Sequence, residues 1–172
     1  NLQISTRRAR RSVERVPSYL VETYLARGAR GERVAREGRA RSAAAELTRR
    51  IEAMLAREFD FVPTVVLRTR RQMRVIVDRA PKGFGREPAK YRYDLIFLKE
   101  PLAAKVALQS VPTKPGVDAA HPGTGVLYFS RLSAKASQSR LSRIASLPIY
   151  PSVTIRNWNT MTRLLSMMDE RH

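Results

Sequence analysis

The alternation of apolar and polar positions is clearest in the second half of the chain. The run 91–98 is rich in aromatic and branched residues and lies between Pro88 and Pro101, which predicts a central β-strand. Pro101 is suited to the first position of a following helix. The pattern beyond it predicts a helix, a weak strand, a turn, an apolar strand, a helix, a strand and a final helix, with ranges 102–108, 116–121, 122–125, 126–129, 137–146, 152–156 and 160–169.

The predicted element order is β-α-β-β-α-β plus a C-terminal helix. This is the split βαβ, or ferredoxin-like, pattern, so the expected fold class is α+β, an α/β plait. The first and third strands of the unit are the most apolar, as inner strands are. The second and fourth are shorter and more polar, which is typical of edge strands.

The first half of the chain ends in a similar way. An amphipathic helix is predicted over 47–55 and a strand over 64–68. Thr69 and Gln72 have the spacing of a capping box, which predicts that a second helix begins there. Apolar residues then mark one face of this helix, at Met73, Ile76, Val77 and Ala80.

The two strand-to-helix junctions repeat with an offset of 88 residues. The segment 63–69 aligns without a gap on 151–157, and both segments end in a good N-cap residue, Thr69 or Asn157. We therefore expect a tandem pair of ferredoxin-like subdomains. The first spans residues 1–80, the linker 81–89, and the second, with the C-terminal helix, 90–172.

The stretch 26–41 has neither the alternation of a strand nor the apolar spacing of an amphipathic helix. Arginine recurs at every third position from Arg27 to Arg39, among Ala, Gly and Glu. A strand would carry these charges on both faces, and each of the three glycines costs a helix about 1 kcal/mol relative to alanine. We expect a basic irregular segment here, which makes the first subdomain incomplete.

Composition adds a strong positive charge. The 172 residues include 33 Lys and Arg against 15 Asp and Glu, a formal net charge of +18. Such a field favours non-specific nucleic acid binding at low salt, although a basic but inert surface has the same composition. There is no cysteine, which excludes disulfides and thiolate metal sites, and no apolar run could span a bilayer. We expect a cytoplasmic protein, a monomer or weak homodimer, with no cofactor, metal or membrane partner.

One motif resembles a known family. The segment Thr154–Met161, with the sequence TIRNWNTM, resembles a signature of the uncharacterised bacterial family called domain of unknown function 1697. Weaker similarity lies at Tyr19–Leu25, Val65–Val77 and Ser139–Leu141. The resemblance covers about 16–169 and implies two ferredoxin-like subdomains. It supplies no catalytic residue, because the family has none established.

The chain departs from the family pattern near its start. The family's opening aliphatic strand is not evident, and the arginine-rich stretch 26–41 stands where the family continues into an apolar strand. This departure also indicates an incomplete first subdomain.

A polar cluster around the motif is the strongest candidate for an anion site. It would lie at a helix N-terminus, where backbone N–H groups favour negative charge. The alternative is structural, with an asparagine capping the helix and the tryptophan filling the core. The candidate residues are Arg156, Asn157, Trp158, Asn159, Thr160 and Arg140.

A second candidate surface is basic and suits nucleic acid. Its cations alternate with Phe84, Tyr91 and Tyr93, and exposed aromatic rings can stack on bases. An open face of the ferredoxin-like sheet would favour this function, although the two tyrosines also suit a core. The candidate cations are Arg68, Arg70, Arg71, Arg74, Lys82 and Arg86.

Nothing in the sequence identifies a reaction. The segment Gly83–Gly85 lacks the remainder of a phosphate-binding or dinucleotide motif and is interpreted as linker, and His121 has no metal-ligand companion nearby. Three function classes therefore stay open: a protein that binds a partner or small anion, a sequence-tolerant nucleic-acid-binding protein, and an enzyme with an anion-handling site. The sequence favours the first.

Overall fold

The structure is a computed structural model that describes residues 19–22, 33–58 and 64–170. Six strands and four α-helices are described, together with short 3₁₀ segments. In chain order they are β1 (Tyr19–Glu22), α1 (Arg33–Glu58), β2 (Val65–Arg68), α2 (Arg70–Asp78), β3 (Tyr91–Leu98), α3 (Ala104–Ser110), β4 (Asp118–Gly123), β5 (Val126–Leu132), 3₁₀ segments at Ser133–Gln138, Leu141–Ser146 and Tyr150–Ser152, β6 (Val153–Asn157) and α4 (Trp158–Glu170).

The strands form two sheets. The larger is antiparallel with the order β4-β5-β3-β6, and in its centre Leu95 lies opposite Tyr128 of β5 and Arg156 of β6. The smaller pairs β1 with β2 in parallel, with Tyr19 opposite Val65. The predicted α+β class, with an antiparallel four-stranded sheet and a C-terminal helix, is confirmed.

Both faces of the four-stranded sheet are covered by other elements. Side chains of β3 point alternately to the two faces, so the strand contributes to the packing on each of them. Tyr93, Leu95 and Phe97 pack with apolar residues of α2 and α4. Ile96 and Leu98 pack with α3 and with the 3₁₀ segment that begins at Leu141. We call α2 and α4 the helical layer. We call α3 and the segments Ser133–Gln138 and Leu141–Ser146 the 3₁₀ layer.

The capping box at the start of α2 is present as predicted. The N–H of Gln72 donates to the Thr69 hydroxyl at 3.2 Å, and the N–H of Thr69 donates to the Gln72 side chain at 2.8 Å. The helix buries Met73 and Ile76 against the sheet. The reciprocal bonds satisfy two backbone donors that a helix otherwise leaves unpaired.

The expected irregular segment 26–41 is wrong over part of its length. Helix α1 begins at Arg33, so residues 33–41 are helical, while 26–32 lie outside the described residues. Between Arg33 and Ala45 the helix contains many Ala, Arg and Glu residues, which are strong helix formers. Their summed preference outweighs the single described glycine, Gly38.

Two further expectations differ from the structure. The predicted helix 137–146 is instead two 3₁₀ segments, and its Leu141 and Ile144 are buried as expected. Serine side chains compete for backbone groups in this stretch: the N–H of Leu141 donates to the Ser139 hydroxyl at 3.2 Å. Pro101 does not open a helix, because α3 begins at Ala104.

The first half does not repeat the predicted β-α-β-β-α-β unit within the described residues. Strands β1 and β2 are joined through α1 and lie directly side by side in parallel. In a split βαβ unit another strand separates two such strands.

Polar contacts join the first half to the four-stranded sheet. The ammonium of Lys99 donates to both carboxylate oxygens of Glu52, at 2.6 and 2.8 Å, and Glu52 also accepts the N–H of Val65. The hydroxyl of Tyr128 donates to the carbonyl of Ile76 at 2.6 Å. No helix in the described part of the chain is long and apolar enough to cross a membrane.

Candidate functional site

The segment 156–160 lies where β6 passes into α4, and Asn157 serves both elements. Its Oδ1 accepts the N–H of Asn159 at 2.9 Å, and its Nδ2 donates to the carbonyl of Tyr93 at 3.3 Å. The first contact caps the helix and the second joins β6 to β3. The Asn157 side chain therefore has a structural role.

Trp158 belongs to the core of the helical layer. It is 9% exposed, and its ring meets Phe84 edge-on with centroids 5.1 Å apart. Gly85 approaches so closely that a Cβ atom there would lie 2.3 Å from the indole Nε1. The segment Gly83–Gly85, which was predicted to be a linker, thus packs over the tryptophan, and we call it the clip. The sequence did not indicate this packing.

The six predicted anion-site residues do not all lie together: five are consecutive at the β6–α4 junction, and Arg140 lies apart from them. Arg156 is half-buried, and its Nη1 donates to the carbonyl of Ile155 at 2.8 Å. The backbone N–H of Arg140 instead donates to Asp118 at the start of β4, and its guanidinium donates to the carbonyl of Thr113 at 3.4 Å. Strands β4 and β6 are opposite edges of the sheet, about 14 Å apart at the spacing of neighbouring strands. Asn159 and Thr160 are exposed.

Arg68, a predicted nucleic-acid contact, is turned into the protein. Its Nη2 donates to the carbonyls of Leu98 at 2.8 Å and Gly125 at 3.1 Å. Its guanidinium lies 5.9 Å from the ring centroid of Phe97. Burial lowers the pKa of Arg68. The side chain joins the first half to the end of the sheet and is not a surface cation.

The other predicted cations differ in their pairing. Arg74 bonds Asp169 of α4 at 2.5 Å, and Arg70 lies 3.9 Å from the same carboxylate. Arg71, Lys82 and Arg86 are exposed, and no ion pair within the described ranges holds them.

The aromatic residues between these cations point inward. Tyr93 is 8% exposed and Phe84 packs edge-on against it, with centroids 4.8 Å apart. Tyr91 is half-buried. The helical layer covers the sheet face on which base stacking was expected, so this face is closed rather than open.

A polar groove lies elsewhere, beside the 3₁₀ layer. It encloses about 370 Å³ and is lined by three cations, three serines and a glutamine, with no carboxylate in its wall. Arg140 is the one predicted site residue in it. The lining residues are Lys114, Ser137, Gln138, Ser139, Arg140, Ser142 and Arg143. A sequence signal existed: residues 119–168 contain no Asp or Glu.

Asp118 holds the two loops that form this groove. Its Oδ2 accepts the N–H of Lys114 at 3.0 Å and the N–H of Arg140 at 2.9 Å. The ammonium of Lys114 in turn donates to Gln138 at 2.6 Å. One carboxylate therefore joins the backbone of two residues that line the groove.

A second buried carboxylate lies on the same sheet face. Asp94, 6% exposed, has its Oδ2 3.3 Å from the guanidinium of Arg131, which pairs across β4 and β5 with Asp118. Burial raises the pKa of Asp94, and the charges of Arg131 and Arg92 oppose this shift. Of these three charged residues, Asp94 is buried, whereas Arg131 and Asp118 are half-buried.

No catalytic arrangement emerges around these groups. His121 is exposed on the edge strand β4. Among the residues that the structure describes, no three His, Asp or Glu side chains are grouped to hold a metal ion. The arrangement beside the 3₁₀ layer can attract and orient an anion.

Comparison with known proteins places the chain in a wider group. No curated protein matches it. Its structure is similar to that of the conserved bacterial protein SP0830 from Streptococcus pneumoniae, with a TM-score of 0.59 and 20% identity over 73% of this chain and 70% of that one. At this identity the similarity shows the fold alone.

A family profile matches residues 3–128. The match spans most of the chain, including β3, β4 and the start of β5, and stops before the RNWNT motif at 156–160 that carried the resemblance in the sequence. The chain therefore belongs to the family of proteins of unknown function called domain of unknown function 1697.

Proposed function

We propose that the protein binds a small anion of the phosphate class in the groove beside the 3₁₀ layer. The observation that carries this proposal is the lining: Lys114, Arg140 and Arg143 contribute three positive charges, and none of the lining residues is a carboxylate. This moves the expected anion site from the segment 156–160 to the surroundings of Arg140.

The chemistry of the lining suits phosphate oxygens. A guanidinium donates two parallel hydrogen bonds to a phosphate, and serine hydroxyls add further donors. The groove is open, so the bound anion would keep part of its hydration. We therefore expect modest affinity and a preference for anions with more than one charge, such as pyrophosphate over chloride.

The Asp118 clamp supports the proposal because it organises the groove in advance. With both backbone N–H groups held at about 3 Å, the Lys114 and Arg140 backbones do not need ordering when an anion binds. Preorganisation of this kind increases affinity because less conformational entropy is lost on binding.

Titration with inorganic phosphate and pyrophosphate, followed by amide chemical shifts, tests the site. We expect shifts concentrated in 137–143. The double variant Arg140→Gln/Arg143→Gln should bind at least about tenfold more weakly, since each charge-assisted bond contributes about 1.5–3 kcal/mol. Shifts concentrated at 157–160 would overturn the proposal.

A matched control removes the same charge elsewhere. Arg57 and Lys105 are exposed on α1 and α3 and line no part of the groove. The variant Arg57→Gln/Lys105→Gln should keep the affinity within about twofold, because exposed charges at a distance are screened by salt. Equal loss in both double variants would mean that net charge alone attracts the anion.

We also propose that the four-stranded sheet is a ferredoxin-like unit and that the strand-to-helix junction was duplicated. The strand order and antiparallel pairing support the first point. For the second, α2 and α4 begin at positions 88 apart, and Arg68 and Arg156 each donate to the preceding carbonyl at 2.8 Å. Among the described residues, support for the duplication is limited to this junction, since β1 and β2 pair in parallel.

The subdomain boundaries 1–80, 81–89 and 90–172 stay a prediction, as do a cytoplasmic location and a monomeric or weakly dimeric state. An enzyme that uses the same anion stays an alternative, to which we assign no catalytic residue.

A further inference from the structure

We propose that the exposed cations of α2 and the loop after it form a second binding surface, for duplex nucleic acid, and that this surface contacts phosphates only. We call it the α2 basic surface and define it by Arg71, Lys82 and Arg86. It is independent of the phosphate groove beside the 3₁₀ layer, because none of its residues lines that groove.

The charge in this part of the chain is concentrated and unbalanced. Residues 68–92 include nine Lys or Arg and two acids, Asp78 and Glu87. Arg68 is internal and Arg74 is bonded to Asp169, so neither contributes a full surface charge. The three cations of the α2 basic surface are exposed, and no described ion pair competes with a phosphate for them.

The size of the surface suits a nucleic-acid duplex. From Arg71 to the end of α2 at Asp78 the helix rises about 10 Å, and Lys82 follows four residues later. The two cations are therefore less than about 25 Å apart even for an extended chain. A duplex offers two phosphates for every 3.4 Å of its axis, so several are within reach of these cations.

The aromatic residues decide which nucleic acid fits. Single strands are held largely by stacking of bases on exposed rings. Here Phe84 is half-buried and packs edge-on against both Tyr93 and Trp158, which are buried, so the cluster offers no exposed ring for stacking. Without stacking, attraction follows the density of phosphate charge, which is higher in a duplex than in a single strand. The surface should therefore prefer duplexes and ignore sequence.

The test compares binding of a mixed-sequence DNA duplex and oligothymidylate at several salt concentrations. We expect the duplex to bind more tightly at equal phosphate concentration, with affinity that falls steeply as salt rises. The triple variant Arg71→Ala/Lys82→Ala/Arg86→Ala should reduce the log–log salt slope by roughly 2 to 3 units, at about 0.9 per phosphate contact.

The matched control removes three exposed cations from other elements, in Arg50→Ala/Arg57→Ala/Lys105→Ala. Its slope should change by less than half as much. Equal changes in the two triple variants would contradict the proposed surface. The duplex would then be attracted by the net positive charge of the whole protein. The groove variant Arg140→Gln/Arg143→Gln should keep the duplex slope, and loss of duplex binding in that variant would assign the nucleic acid to the groove.

The single tryptophan gives an internal readout of stacking. Trp158 lies under Phe84 and Gly85, so a phosphate-only complex should leave its emission unchanged. Quenching of this emission by oligothymidylate, together with tighter binding of the single strand than the duplex, would show that the aromatic cluster opens to bases. That result would contradict the proposal.

Discussion

The two layers that cover the four-stranded sheet are built on different principles. The helical layer is held by large side chains: Trp158 and Phe84 pack edge-on, and Met161 is fully buried. The 3₁₀ layer contains one short helix and two 3₁₀ segments, and its outer loops are held by the carboxylate of Asp118. The first layer is closed, whereas the second leaves a polar groove.

The difference shows where binding can occur in this fold. Apolar packing fills the helical layer completely, including the sheet face that would otherwise suit base stacking. In the 3₁₀ layer, Leu141 and Ile144 also pack into the core, but the outer loops are held by hydrogen bonds to Asp118. Charged groups line the space beside these loops. The proposed anion site therefore lies where the packing is polar, and the closed layer offers only its outer surface.

The largest expected effect is in the helical layer. Trp158→Ala should lower the free energy of unfolding by about 3–5 kcal/mol, because it removes the ring that joins α4 to the clip. Urea denaturation followed by circular dichroism measures the change. Met167→Ala on the same helix, where the side chain is 44% exposed, should cost less than about 1 kcal/mol. A small loss at Trp158 would mean that the layer is not closed by aromatic packing.

A pair of glycine variants separates packing from backbone strain in the clip. Gly83 and Gly85 both have a positive φ, +84° and +83°, but a Cβ at Gly83 meets nothing within 4 Å whereas one at Gly85 meets Trp158. Gly83→Ala should cost about 1 kcal/mol. Gly85→Ala should cost about 1–3 kcal/mol more, from overpacking. Equal losses in thermal or urea unfolding would show that the clip does not press on the tryptophan.

Features of the helical layer were predictable because their signals are local. The strand 91–98, the capping box at Thr69 and the burial of Met73 and Met161 follow from period, N-cap chemistry and spacing. The 88-residue offset between the two strand-to-helix junctions also predicted that β2 and β6 are each followed by a similar helix. None of these inferences needed contacts between distant segments.

The clip and the groove could not be predicted because they depend on long-range packing. Gly83–Gly85 has the composition of a flexible linker, and only the fold brings Phe84 onto Trp158. The groove joins Lys114 to the distant Arg140 through Asp118, a contact with no sequence period. The motif at 156–160 left two functions open in the sequence, because helix capping and anion binding use the same residue types.

The third prediction sharpens the comparison in the 3₁₀ layer. Asp118→Ala leaves two backbone N–H groups without their acceptor, so the free energy of unfolding should fall by about 1–3 kcal/mol. Phosphate affinity should fall as well, because the groove loses its organisation. Asp78→Ala, which removes an exposed carboxylate near the end of α2, should change both quantities little. Unchanged phosphate binding in Asp118→Ala would separate the clamp from the groove.

The smallest expected effect concerns the buried charge beneath the groove. Burial raises the pKa of Asp94 above its value in the unfolded chain, so the folded protein holds this proton to a higher pH. Ionised Asp94 therefore destabilises the folded protein at any pH above its folded pKa. This destabilisation declines as the pH falls toward the pKa of the unfolded chain, about 3.9, and it is absent below that pH. Asp94→Asn should accordingly raise stability at neutral pH, by less than about 1 kcal/mol because Arg131 loses its partner.

The pH dependence of this difference is the decisive measurement. Subtracting wild-type from Asp94→Asn unfolding free energies cancels the other carboxyl groups. The difference should be near zero in acid, grow as the pH rises through the window between the unfolded and folded pKa values, and then stay constant. A variant that becomes less stable than wild type as the pH rises would mean that attraction to Arg131 outweighs burial. The 3₁₀ layer would then be held by its charges at both Asp94 and Asp118, and would differ from the helical layer more than the geometry alone implies.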